Sequence, residues 1–61
     1  MHSRDLIKEL KNAGCTFVRH GKGDHQIWQS PITGKIFPVP HPKQHVAIGT
    51  LRSIKKSAGL L

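Results

Sequence analysis

The pattern of apolar and polar positions divides the chain into five elements. Leu6, Ile7, Leu10 and Ala13 recur at three- and four-residue steps, which puts them on one stripe of a helix. Ser3 is a candidate N-cap, Asp5 brings negative charge to the first turn, and Gly14 supplies a left-handed stop. The spacing predicts a helix over about residues 3–13. Leu51, Ile54, Lys55 and Ala58 form a second stripe, with Thr50 as the expected cap and Gly59 as the end. Between them lie three short runs rich in β-branched and aromatic residues: Cys15 to His20, His25 to Gln29 and Lys35 to Val39. Turn residues separate the runs, Gly21-Lys22-Gly23-Asp24 and then Ser30-Pro31-Ile32-Thr33-Gly34. Pro38 and Pro40 lack the N–H that a sheet ladder needs, so the third strand belongs at an edge or ends early. The segment from Pro40 to Gly49 reads as a loop.

The predicted order is α-β-β-β-α. Short turns between strands give an antiparallel meander, and each helix has one apolar stripe to bury. The expected fold class is therefore α+β: a three-stranded antiparallel sheet with both helices on one face. This order matches that of the double-stranded-RNA-binding domain. Fold analogy alone carries no function.

Composition narrows the class. With 61 residues the chain supports one domain, expected over 1–61, with a small core. Its hydrophobic content of 36%, together with six glycines, is that of a globular protein rather than a disordered one. No apolar run reaches the roughly 18 residues of a membrane span, and no signal-peptide core follows Met1. The lone Cys15 cannot form an internal disulfide, which favours a cytoplasmic location. Disulfide-framework scaffolds, membrane-spanning proteins and multidomain enzymes are thus set aside.

Charge gives the first positive indication. Ten Lys and Arg against three acidic residues leave +7, before any of the five histidines protonates. A field of this sign on so small a body attracts nucleic acid, an anionic membrane surface or an acidic protein.

Candidate chemistry concentrates in Gly21-Lys22-Gly23-Asp24-His25. Two glycines let backbone N–H groups approach a phosphate, with Lys22 adding charge. The structural alternative is a hairpin turn whose glycines serve strand geometry. His25 opens the second strand, near the sheet rim. Histidine titrates near neutrality, and RNA carries its own nucleophile in the 2′-OH. Cleavage then requires a base, an acid and positive charge on the phosphate. Against this stands an exposed strand histidine without a role. The histidine pairs His41/His45 and His20/His25 have zinc-like spacing, but Pro42 breaks any helix there and no second cysteine is present. Trp28 and Phe37 can stack on bases, yet core burial is the reading we favour for both. Arg52, Lys55 and Lys56 on the last helix either face solvent or grip phosphates; Lys55 falls on the apolar stripe, from which its long side chain can snorkel.

Three stretches together resemble the HicA toxin family of bacterial toxin–antitoxin pairs. They are Ser3 to Gly14, Gly21-Lys22-Gly23-Asp24-His25-Gln26-Ile27-Trp28, and Pro38-Val39-Pro40-His41 continuing through Gly49-Thr50-Leu51-Arg52-Ser53-Ile54 to Ala58-Gly59-Leu60. The Gly-x-Gly-x-His and Gly-Thr-Leu-Arg-x-Ile runs carry most of the specificity. The resemblance implies a small mRNA-cleaving toxin with a double-stranded-RNA-binding-like fold, held inactive by a HicB antitoxin that covers its active face. It assigns the catalytic role to His25. Asp24 and Gln26 flank His25 where many members carry Ser and His, and Cys15 stands where an aromatic residue is common.

The resulting expectation is a metal-independent endoribonuclease of a type II toxin–antitoxin system, without cofactor. His25 is its catalytic histidine, and Lys22, Gly23, Arg52, Lys55 and Lys56 bind RNA. His20, His41 and His45 are the open candidates for a second acid–base group. A non-catalytic RNA-binding module is the alternative. A domain binding an acidic partner is a third reading.

Overall fold

A computed structural model describes residues 1–61. Helix α1 (Ser3–Asn12) is followed by strands β1 (Thr16–His20), β2 (His25–Gln29) and β3 (Ile36–Pro40) and by helix α2 (Ile48–Ala58). The sheet is an antiparallel meander in the order β1-β2-β3, so the proline-bearing strand lies at an edge, as its missing donors require. It runs through Pro40 rather than ending at Val39. No helix is long and apolar enough to cross a membrane.

One core holds the layers together. α1 contributes Leu6, Ile7 and Leu10, the sheet contributes Trp28, Phe37 and Val39, and α2 contributes Ile54 and Ala58. Both helices therefore share one face of the sheet. Trp28 and Phe37 are each 3% exposed, which settles them as core rather than base-stacking residues. Cys15 is buried just ahead of β1 instead of within it.

Two caps differ from expectation. Ser3 does not cap α1: the ring Nδ1 of His2 accepts the Arg4 N–H at 3.0 Å, and Ser3 is fully buried inside the first turn. α2 begins two residues before Thr50, at Ile48, with Ala47 in the cap position and no side-chain cap bond. Thr50 lies within the first helical turn, and its hydroxyl is left for other contacts.

The far end of α2 is closed by the β2–β3 turn. The buried Ser30 hydroxyl donates to the Ala58 carbonyl at 2.7 Å and accepts the Ile32 N–H at 3.1 Å. Thr33 donates to the Ser57 carbonyl at 2.6 Å. Two carbonyls that a helix end leaves unpaired are thereby satisfied. Gly59 follows with φ 83, and a Cβ there would stand 2.6 Å from Ile32 Cγ2. Only glycine meets both conditions.

Candidate functional site

Strand alternation assigns the faces. Trp28 Nε1 donates to Gln26 Oε1 at 3.1 Å, so these two side chains share the helix-covered face of β2. His25, Ile27 and Gln29 must then project from the opposite, open face. Register pairs His25 with Pro40 and Ile27 with Pro38, which extends that face onto β3.

The Gly21–Asp24 hairpin holds His25 at the sheet rim. Gly21 N–H donates to the His25 carbonyl at 2.7 Å, and His25 N–H donates to the Lys22 carbonyl at 3.2 Å. The two glycines do different work. Gly23 takes φ 62, with nothing within 4 Å of where a Cβ would stand. Gly21 has no positive φ; a Cβ there would lie 2.9 Å from Ile27 Cδ1 and 3.4 Å from His25 Cβ. The backbone crosses close over Ile27, and a larger residue there would push the flexible end of that side chain aside.

His25 is exposed and borders a hollow of about 250 Å³, lined also by Pro38, Pro40, Lys43, Val46 and Thr50. Lys43 is the cation the structure adds to this site, and the sequence reading did not single it out. Its backbone is fixed twice by one buried residue: Lys43 N–H donates to Ser3 Oγ at 2.8 Å, and Ser3 N–H donates to the Lys43 carbonyl at 2.9 Å. The rest of the loop is tied down as well. His41 N–H donates to the Asp24 carbonyl at 3.0 Å and Val46 N–H to the Met1 carbonyl at 2.9 Å. The available signal was a buried serine paired with a lysine forty residues away, and sequence spacing does not report such a contact.

The remaining histidines separate. β1 carries an irregularity between Phe17 and Arg19, and beyond it His20 pairs with Gln26. His20 therefore faces the helix side, its ring 5.1 Å from that of Phe17. His41 also turns to α1, its Nδ1 2.7 Å from Ser3 Oγ. Neither shares the face of His25. His45 is exposed in the loop between Lys43 and Val46, both of which line the His25 hollow. No three His, Cys, Asp or Glu side chains converge as a metal-binding group.

The expected RNA-binding residues divide likewise. Lys22 and Gly23 are exposed on the hairpin beside His25. Arg52 and Lys56 are exposed on α2, and of that helix only Thr50 reaches the His25 hollow. Lys55 is half-buried and pairs with Glu9 of α1 at 3.2 Å, tying the two helices together.

A family model described as the HicA toxin of bacterial toxin–antitoxin matches residues 3–60. No curated protein and no solved structure matches the chain.

Proposed function

Since the chain belongs to the HicA toxin family of bacterial toxin–antitoxin systems, we propose that it is a metal-independent endoribonuclease cleaving mRNA, with residues 1–61 as one toxin domain acting in the cytoplasm. The observation that supports this most is the placement of His25, exposed on the open sheet face and sharing a hollow with Lys43. A histidine beside a cation carried on a clamped backbone, with room for a phosphodiester, is the minimum that cleavage through the substrate's own 2′-OH requires.

In the proposed reaction His25 takes the 2′-OH proton as the oxygen attacks phosphorus. The bond to the 5′-oxygen breaks, and that oxygen leaves with a proton from a second acid. The products are a 2′,3′-cyclic phosphate and a 5′-hydroxyl. Lys43, Lys22 and the Gly23 backbone stabilise the charge on the phosphate, and Arg52 and Lys56 extend the positive surface along α2. His45, in the loop bordering the hollow, is the second acid we favour; His20 and His41 lie on the other side of the sheet.

Membership of a toxin–antitoxin family implies an antitoxin partner. We infer that it is a HicB protein docking on the open face. That face carries apolar surface at Ile27, Pro38 and Ile36, the last 59% exposed, beside the catalytic candidate. The net charge of +7 favours an acidic inhibitor.

The test is incubation of the purified protein with mRNA in EDTA, followed by end-group analysis. Cyclic-phosphate ends are expected. Salt-sensitive binding without cleavage would reduce the protein to an RNA-binding module.

A further inference from the structure

The His25 site leaves Phe17, His20, His41 and the cations of α1 unused. Arg4, Lys8 and Lys11 recur at steps of four and three, so they form one stripe along the helix. The acids of α1 do little to neutralise it. Glu9 is turned to Lys55 at 3.2 Å, and Asp5 lies 3.9 Å from Arg4. Lys8 and Lys11 have no ion-pair partner.

The stripe overlooks two adjoining hollows of about 280 and 340 Å³, which share Ile7, Lys11 and His41. Arg4 and Lys8 border the first; Phe17, His20 and Gln26 border the second. Phe17 is 45% exposed, whereas Trp28 and Phe37 are each 3% exposed. It meets Trp28 edge-on at 6.0 Å and His20 edge-on at 5.1 Å, contacts that leave area on its ring uncovered. Two polar groups in the wall are held in place. Gln26 Oε1 is occupied by the Trp28 indole, which leaves its amide NH₂ to donate, and His41 Nδ1 is occupied by Ser3, which leaves Nε2.

We propose that this groove between α1 and β1 binds single-stranded RNA, with a base stacked on Phe17 and the backbone phosphates on Arg4, Lys8 and Lys11. A row of cations with little acidic compensation beside an exposed aromatic is what a single strand requires: charge tracks the backbone, and the ring accepts any base. The inference rests on the reading of RNA as the substrate and adds where the strand is held. The geometry also connects the two sites. His20 and Gln26 pair at the hairpin end of the sheet, next to His25 but on the other face. A strand leaving the groove over the Gly21–Asp24 hairpin enters the His25 hollow, so the groove anchors nucleotides to one side of the cleaved bond.

The experiment measures binding of a fluorescent, fully 2′-O-methylated oligonucleotide across a salt series, since this strand has no free 2′-OH and cannot be cut. The Lys8→Gln/Lys11→Gln protein is expected to lower the log–log salt slope by about 1.4, two phosphate contacts on a single strand. Phe17→Leu, which keeps apolar contact with Trp28, is expected to weaken binding roughly tenfold with the slope unchanged. Lys35→Gln, on the remote turn, serves as the charge control. Groove variants that bind like Lys35→Gln would overturn the proposal. So would loss of antitoxin binding with oligonucleotide binding intact, which would assign the groove to a protein. His25→Ala runs in the same series with cleavable RNA. If it cleaves like the parent while binding still depends on the groove, the catalytic reading falls and the groove stands.

Discussion

The Nδ1 of His41 lies 2.7 Å from the hydroxyl of Ser3, although 38 residues separate them along the chain. The same hydroxyl oxygen accepts the Lys43 N–H at 2.8 Å, so its own proton is available to the imidazole. One buried side chain thus closes the start of the 41–47 loop onto α1. The structural consequence is a Lys43 backbone fixed beside His25, so that the exposed lysine side chain starts from a defined point at the rim of the proposed phosphate site.

Replacing Ser3 by Ala removes both bonds and leaves the partly buried Lys43 N–H without its side-chain acceptor. We expect a loss of about 1–3 kcal/mol, a fall in Tm of several degrees for so small a domain. Thermal unfolding followed by circular dichroism measures it. A Tm equal to the parent's would mean that the loop does not depend on this clamp.

Lys43→Ala separates position from stability. The side chain is exposed and only its backbone is clamped, so Tm should stay within a degree or two. RNA cleavage should fall by roughly 10- to 100-fold, in line with the loss of one charge-stabilising contact, and Lys43→Arg should restore part of it. Cleavage rates of the three proteins at one salt concentration decide the point. Full activity in Lys43→Ala would remove Lys43 from the site.

Two glycine substitutions should differ in kind. Gly59→Ala combines a positive φ with a methyl 2.6 Å from Ile32 Cγ2, and it should cost more than about 2 kcal/mol. Gly21→Ala meets mainly the flexible end of Ile27, with a contact 3.4 Å from His25 Cβ. It should cost about 1 kcal/mol while lowering cleavage more than that loss explains. Denaturant titrations beside cleavage assays give both quantities, and equal stability losses would contradict the assignment.

Ser30→Ala tests the closure of α2. The mutation strips the Ala58 carbonyl of its side-chain donor and the Ile32 N–H of its acceptor. A loss of about 1–3 kcal/mol is expected, with hydrogen exchange accelerated first in the last turn of α2. Protection there unchanged from the parent would show that the turn does not hold the helix.

Much of the fold was legible because local signals agreed with tertiary ones. The Leu6–Ile7–Leu10 stripe, the turn residues between strands and the prolines of β3 each specified an element that the packing then used. The caps misled for a physical reason. Ser3 and Thr50 have the chemistry of N-caps, but long-range partners claimed Ser3 and the first helical turn claimed Thr50. The roles of His20, His41 and His45 were not legible. Strict alternation from Phe17 would put His20 on the opposite face from Phe17, whereas the irregularity in β1 brings the two to the same face. The sequence does place the hairpin and set His25 at the start of β2, but Lys43 joins them only through a contact forty residues long.

The most direct test of the central claim is cleavage of mRNA by the parent and His25→Ala proteins in EDTA, with binding of uncleavable RNA measured alongside. The account predicts cyclic-phosphate products from the parent and a loss of roughly 10²–10⁴-fold in the mutant, typical of removing a general acid or base, with fold and RNA affinity unchanged. Parent-like cleavage by His25→Ala would contradict it.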